Sequence, residues 1–200
     1  LDVQEYCAIA KADLKKSGLF KIDSRVGSLT QWLNVLGMPG MTGYFGLMDV
    51  GQPKAGETLV VSGAAGAVGQ TVGQLARIWG MRVVGIAGGQ AKCDWVVREL
   101  GFDACVDYKA GNLRKDLKAA APDGIDGLFE NVGGEVMDAV LARMNPFGRV
   151  ALCGLISGYD GEPMPIFNTR VMLSMRLTLR GFIVSEHMDL WPQGLGEMGS

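Results

Sequence analysis

From Thr58 onward, short apolar runs alternate with amphipathic stretches. The runs Thr58–Ser62, Arg82–Ala87, Ala104–Val106, Gly127–Asn131, Arg149–Cys153 and Leu177–Val184 predict six strands. Between them, Ala67–Trp79, Ala91–Leu100, Leu113–Ala120, Glu135–Met144 and Thr169–Met175 carry apolar residues at helical spacing and predict helices, with a loop from Cys153 to about Ile166. The strand runs are continuously apolar rather than alternating, as in strands covered on both faces, and right-handed crossovers then favour a parallel sheet. The expected fold is α/β, a Rossmann-type doubly wound parallel six-stranded sheet, set within residues 36–190. Ahead of it, Leu36, Tyr44, Leu47 and Met48 recur at helical spacing, but Pro39 and its neighbouring glycines permit a helix only after Met41. That helix is expected to pack against the sheet. Residues 3–9 have strand character and Lys11–Lys16 form a charged turn, so residues 1–35 read as a lead-in rather than a domain. The chain opens on Leu1 and stops inside a helix that starts at Trp191, which predicts a piece of a longer protein; a processed small protein is the alternative.

Composition narrows the function. With 48% hydrophobic and 20% charged residues the chain can bury a sizeable core, so disorder is excluded, and 30 glycines without a three-residue period exclude collagen. A net charge of −2 offers no basic surplus for nucleic acid. The apolar runs are far shorter than the ~20 residues that span a bilayer. Four cysteines without a C-x-x-C pair and a lone histidine, His187, suggest neither a disulfide framework nor a structural zinc site. A soluble cytoplasmic protein with a small-molecule ligand is expected.

The glycines gather where the first strand meets the first helix. Gly63-Ala64-Ala65-Gly66-Ala67-Val68-Gly69, followed by Gly73, gives the pattern G-x-x-G-x-x-G-x-x-x-G. Small residues there let backbone approach a pyrophosphate, whose charge meets the N–H groups and positive end of a helix. Gly73 would let helix and strand pack closely. The second strand ends Ile86-Ala87-Gly88-Gly89-Gln90-Ala91-Lys92, without the carboxylate that would bond the adenosine 2′-hydroxyl of NAD. Lys92 can instead neutralise a 2′-phosphate, so NADP (NADPH) is the expected cofactor.

Five segments, in order, carry a family likeness: Leu36-Gly37-Met38-Pro39-Gly40-Met41-Thr42-Gly43-Tyr44-Phe45-Gly46-Leu47, the Ala64–Gly69 turn, Glu130-Asn131-Val132-Gly133-Gly134, Cys153-Gly154-Leu155-Ile156-Ser157, and Leu179-Arg180-Gly181-Phe182-Ile183-Val184. Together they resemble the zinc-independent medium-chain dehydrogenase/reductases of the leukotriene B4 dehydrogenase, prostaglandin reductase and curcumin reductase type. The resemblance implies the coenzyme-binding half of an enzyme that passes hydride from NADPH to the carbon–carbon double bond of an α,β-unsaturated aldehyde or ketone, without a metal. Residues 1–35 would then belong to the substrate-domain side and residues 191–200 to a truncated helix, and this half alone would be inactive.

Carried over residue by residue, the resemblance puts Gly66, Ala67, Val68 and Gly69 at the pyrophosphate and Lys92 with Tyr108 at the 2′-phosphate. Tyr108 is one residue further from Lys92 than the family pattern has it. Asn131 would bond the cofactor and Gly133 leave room for it. Cys153, Gly154, Leu155, Ile156, Ser157 and Tyr159 would line the nicotinamide ribose, and Phe182, Ile183 and Val184 would reach the carboxamide side. Tyr159 is the catalytic candidate, either giving a proton to the substrate or only holding the ribose. Cys153 reads as a core residue, since no histidine near it in sequence would activate it, and His187 as a surface residue. Arg176 and Arg180 flank the last strand, either guarding an edge or at a homodimer interface, which the resemblance favours. Two other functions stay open: a quinone reductase of the same superfamily and a non-catalytic nucleotide-binding module.

Overall fold

The structure is a computed structural model that describes residues 10–11, 21–161 and 163–199; the strand character at residues 3–9 and most of the turn at Lys11–Lys16 lie outside these. Strands β1 (Thr58–Ser62), β2 (Arg82–Ala87), β3 (Ala104–Asp107), β4 (Ile125–Glu130), β5 (Met144–Leu152) and β6 (Thr178–Gly181) form one sheet in the order β3-β2-β1-β4-β5-β6. Every pairing is parallel, so the doubly wound Rossmann reading holds. Among the described residues, helices α1 (Leu29–Leu33) and α2 (Met38–Phe45) precede the sheet. Helices α3 (Ala67–Ile78), α4 (Gln90–Leu100), α5 (Leu113–Ala120), α6 (Gly134–Leu141) and α7 (Thr169–Ser174) make the crossovers, and α8 (Trp191–Met198) follows. Among the described residues no helix is long and apolar enough to cross a membrane.

Alternation along the strands divides the core between the two faces. Val60, Val84, Leu128 and Val150 pack with Leu113, Leu117, Val136 and Val140 of α5 and α6. Their neighbours Leu59, Val61, Val83, Phe129 and Ala151 pack with Val72 and Ala76 of α3, Val96 of α4 and Leu47. Each of the Val, Leu and Phe side chains, taken from water, contributes about 1.5–3 kcal/mol. A third cluster, Met41, Tyr44, Phe45 and Trp191, joins α2 to α8. There Tyr44 Oη donates to Glu197 Oε2 at 2.6 Å, and burial together with that carboxylate pushes the phenol up to about 12.

The departures from the sequence reading have local causes. Helix α2 starts at Met38, not after Met41, because Pro39 occupies its first turn, where an N–H has no partner to lose. It continues as a π-helical turn, Gly46–Gly51, that ends at left-handed Gln52. The helix itself lies on α3, with Gly43 facing Val72, while Gly46 meets the rings of Phe129 and Phe182. Strand β6 stops at Gly181, opposite Leu152 where β5 ends, so the ladder has no partner to carry it to Val184. Helix α6 ends at Leu141, and Met144 already pairs with Ile125 as the start of β5. A register shift follows before Arg149, with Phe147 in the left-handed region. Arg149 then ties the sheet to the π turn, its Nε donating to Gly51 O at 2.8 Å and its guanidinium pairing with Glu57. His187 is half-buried rather than free on the surface and stacks on Phe45.

Candidate functional site

In an open parallel sheet the strands on either side of the first one leave in opposite directions, and the crevice between them lies at the strands' carboxyl ends. Here that place is between β1 and β4, and a cavity of about 480 Å³ occupies it. The turn after β1 begins at Gly63, in the left-handed region, and reaches α3 through Gly66 as helix cap. A Cβ on Gly69 would lie 2.4 Å from Gly63 O and 2.9 Å from Ala64 Cα, so the fold itself demands that glycine. At Gly66 a Cβ would approach one atom, Gly63 O at 3.1 Å, and otherwise enter the cavity. Gly73 answers to something else: its Cβ would overlap the Phe102 ring at 1.8 Å, so it admits a core side chain from the loop before β3 rather than a strand. The first-turn N–H groups of α3 have no carbonyl four residues back and add their partial positive charge at the cavity.

A buried carboxylate fixes the other wall. Glu130, fully buried at the end of β4, accepts at Oε1 from Ser62 Oγ (2.7 Å), Val132 N (2.5 Å) and Gly133 N (2.8 Å). Ser62 Oγ accepts in turn from Asn131 N at 2.8 Å, and Asn131 Nδ2 donates to Ser62 O at 2.7 Å. The ends of β1 and β4 are thus laced together beside the glycine turn. Burial pushes the Glu130 carboxyl up against the lowering effect of those donors, and its Oε2 has no hydrogen-bond partner among the described residues.

At one end the cavity is lined by Gly88, Lys92, Tyr108 and Lys109. A Cβ on Gly88 would come within 2.9 Å of Tyr108 Cε1 and 3.0 Å of Lys109 Cε. No carboxylate side chain fits there without displacing both. The nearby Asp107 is engaged, its Oδ1 accepting from Gly89 N (2.7 Å) and Lys109 N (2.9 Å). The end is therefore cationic, shaped for an anion.

The sequence candidates fall into three groups. Gly66, Ala67, Val68, Gly69, Lys92, Tyr108, Asn131 and Ile156 line the main cavity. Cys153, Gly154, Leu155, Tyr159, Phe182 and Ile183 line a second hollow of about 420 Å³ past the ends of β5 and β6. Phe182 is at the same time a core residue, its ring edge-on to Phe129 at 6.1 Å, and Tyr159 is largely exposed at 73%. The remaining three lie in neither space. Gly133 is buried under Leu155 and Met164; Ser157 Oγ donates to Val132 O at 2.6 Å; Val184 packs on the Met41–Tyr44–Phe45–Trp191 cluster. Burial and the neighbouring Glu130 push the Cys153 thiol up to about 11, which leaves it protonated at neutral pH. Sequence reasoning passed over Lys109, Gly88 and the Ser62–Glu130 pair. Lys109 adjoins Tyr108 and Glu130 opens the Glu-Asn-Val-Gly-Gly segment, so position beside a motif was the available signal.

The family model described as zinc-binding dehydrogenase matches residues 67–198. The NADPH-dependent curcumin reductase of Escherichia coli K12 is 49% identical over 160 residues, covering 77% of this chain and 46% of that protein. The NADP(+)-dependent 2-alkenal reductase of Nicotiana tabacum is 45% identical over 179 residues, covering 88% and 52%. The crystal structure of CurA from Vibrio vulnificus in complex with NADPH superposes with a TM-score of 0.80 at 43% identity, covering 84% of this chain and 52% of that one. The chain spans about half the length of the curated relatives it matches. The family description names zinc, yet among the described residues no three His, Cys, Asp or Glu side chains gather where an ion could be held. The chain belongs to the zinc-binding dehydrogenase family and is similar, within it, to curcumin and 2-alkenal reductases.

Proposed function

We propose that residues 36–190 bind NADPH for an oxidoreductase that reduces the carbon–carbon double bond of α,β-unsaturated aldehydes and ketones. The observation that carries this is the cationic end of the cavity, where Tyr108 and Lys109 close over Gly88 and Lys92 joins the lining. A 2′-phosphate matches that end, whereas a bare 2′-hydroxyl finds no carboxylate to bond it. The pyrophosphate fits the turn, where Gly66 and the first-turn N–H groups of Ala67, Val68 and Gly69 receive it. Asn131 and Ile156 border its path toward the second hollow, where Gly154, Leu155 and Ile183 hold the nicotinamide end.

The chemistry a bound NADPH supplies is a hydride for the β-carbon of the enone. The chain's own part is orientation and proton handling, since alignment and exclusion of water account for most of what a protein adds to such a transfer. Tyr159, at the rim of the second hollow, holds a proton at Oη for the substrate's oxygen or, through water, its α-carbon. The Glu130 lattice keeps the two strand ends, and so both halves of the coenzyme path, in register. Residues 1–35 belong to the substrate side, whereas α8 (Trp191–Met198) is a helix that packs on α2. Outside the cavity, β6 is the sheet's edge, and a second copy pairs along it to make a homodimer in the cytoplasm.

Fluorescence titration with NADPH and NADH tests the assignment. NADPH binds at least about tenfold more tightly, as one charge-assisted contact of ~1.4 kcal/mol requires, and Lys92→Ala reduces that preference while leaving NADH affinity in place. Equal losses for the two coenzymes refute the 2′-phosphate assignment. With the full-length enzyme, quinones preferred over enals would move it to quinone reduction, and binding without turnover of either would make it a nucleotide-binding module.

A further inference from the structure

Two thiols beneath the adenosine end of the cavity take no part in the function so far described. Cys93 lies in the first turn of α4, directly after Lys92, and Cys105 lies in β3, two residues before Asp107. Both are free, and their Sγ atoms are 3.0 Å apart, with Cys105 donating to Cys93. The fold makes room for them in a specific way. A Cβ on Gly85, in the neighbouring strand β2, would be 3.2 Å from Cys105 Sγ and 2.9 Å from Cβ of Ala64 in the phosphate turn. Cys105 Sγ therefore shares the space beside Gly85 with Ala64 of the glycine turn.

We propose that Cys93 and Cys105 are a reversible modification site, an intramolecular disulfide closed by hydrogen peroxide or a small organic hydroperoxide, which ties α4 to β3. A disulfide bond of about 2.05 Å asks the sulfurs to approach by only ~1 Å. In the first step one sulfur, as thiolate, attacks a peroxide oxygen. The O–O bond breaks, the sulfur is oxidised to a sulfenic acid, and the departing oxygen takes up a proton as water or alcohol. The second sulfur then attacks the sulfenic sulfur, the S–O bond breaks, and the hydroxide leaves as water with the second thiol's proton. Two thiols and one hydroperoxide become one disulfide, one alcohol or water, and one water; a dithiol reverses the change. Burial raises both thiols above the usual range, so closure is slow at neutral pH and quickens as pH rises. Cys93 is 2% exposed and Cys105 half-buried, so only a small oxidant can serve.

Closure pulls on both supports of the cationic end. Lys92 is next to Cys93 in the chain, and Asp107, which holds Gly89 N and Lys109 N, is two residues from Cys105. Oxidation therefore weakens NADPH binding, and bound NADPH slows oxidation, because the coupling is reciprocal. That coupling rests on the coenzyme assignment, whereas the disulfide does not.

The test treats the reduced protein with hydrogen peroxide, with and without NADPH, and reads intact mass, free thiols after denaturation and the peptide map. Expected are a mass lower by two hydrogens, a peptide joining Cys93 to Cys105, reversal by dithiothreitol, and loss of the cross-link in Cys105→Ala. The oxidised form should bind NADPH about fivefold more weakly. Sulfinic acid on a single cysteine without a cross-link, or a disulfide through Cys7 or Cys153, overturns the proposal on the unaltered protein alone. A Cys93–Cys105 disulfide with unchanged NADPH affinity overturns the coupling. Failure of the reduced protein to bind NADPH at all strikes the coenzyme assignment instead.

Discussion

Replacing Gly73 by alanine should destabilise the protein although it sits in the middle of a helix, where alanine is ordinarily the better residue. Taken alone, the exchange in α3 gains about 1 kcal/mol of helix propensity. The added methyl, however, would lie 1.8 and 2.1 Å from Cζ and Cε1 of Phe102, a ring that is 3% exposed among Val72, Ala76 and Val96. The ring must leave its place. Overpacking or partial expulsion of a core aromatic costs about 2–4 kcal/mol, for a net loss of ~1–3 kcal/mol and a Tm lower by roughly 2–12 °C in a chain of this size. The sharper statement is a change of sign. Phe102→Ala leaves a cavity and costs ~3–5 kcal/mol, but in that background Gly73→Ala meets no ring, fills space and stabilises by about 1 kcal/mol. Urea unfolding of the four proteins gives the double-mutant cycle directly. If Gly73→Ala stabilises wild type and Phe102→Ala alike, the ring does not occupy the glycine's space and the packing described for α3 is wrong.

Lys109→Ala should weaken NADPH several-fold and NADH little, with Lys92→Ala/Lys109→Ala losing the most, and equal effects on both coenzymes in the titration would exclude Lys109 from the anion end. Glu130→Gln keeps an oxygen for the three donors and removes a buried charge. Because burial raises the folded carboxyl, wild-type stability from this group is greatest below the ordinary glutamate value of ~4.3 and falls as pH rises from there through the raised folded value. Melting curves from pH 4 to 8 should thus show the variant gaining on wild type with rising pH, and a constant difference would refute an elevated Glu130. Tyr159→Phe in the full-length enzyme should lower kcat by about 10²-fold with NADPH affinity unchanged if the phenol moves a proton; a loss of affinity with kcat intact would assign it to the ribose alone.

The strand-and-helix order was legible because each run has one job: Val60 and Val61 face opposite layers, and a run apolar on both faces can only be a central strand. The glycine turn after β1 was legible for a similar reason, since Gly63, Gly66 and Gly69 stand at one junction. What escaped depends on contacts between distant segments. Nothing in α3 says that Gly73 faces Phe102. Nothing around Lys92 says that Lys109 folds over Gly88, or that Cys105 comes to rest against Cys93. The end of β6 was misplaced because Phe182 and Ile183 are as strand-like as Leu179, and only the length of β5 decides where pairing stops. Pro39 misled in the opposite sense: a residue that ends helices from within is welcome in their first turn.

The lacing of Ser62 to Glu130 joins residues 68 positions apart. In chain-entropy terms the sheet consists of two locally wound halves, β1 to β3 and β4 to β6, and the coenzyme crevice exists only where they meet. Each half can close through its own short crossovers, whereas the seam between β1 and β4 carries the larger loop-closure cost. The binding site therefore forms only once the two halves are joined. A ligand held across that seam works as a clasp between the halves, and it should slow amide exchange at the ends of β1 and β4 more than anywhere else in the sheet.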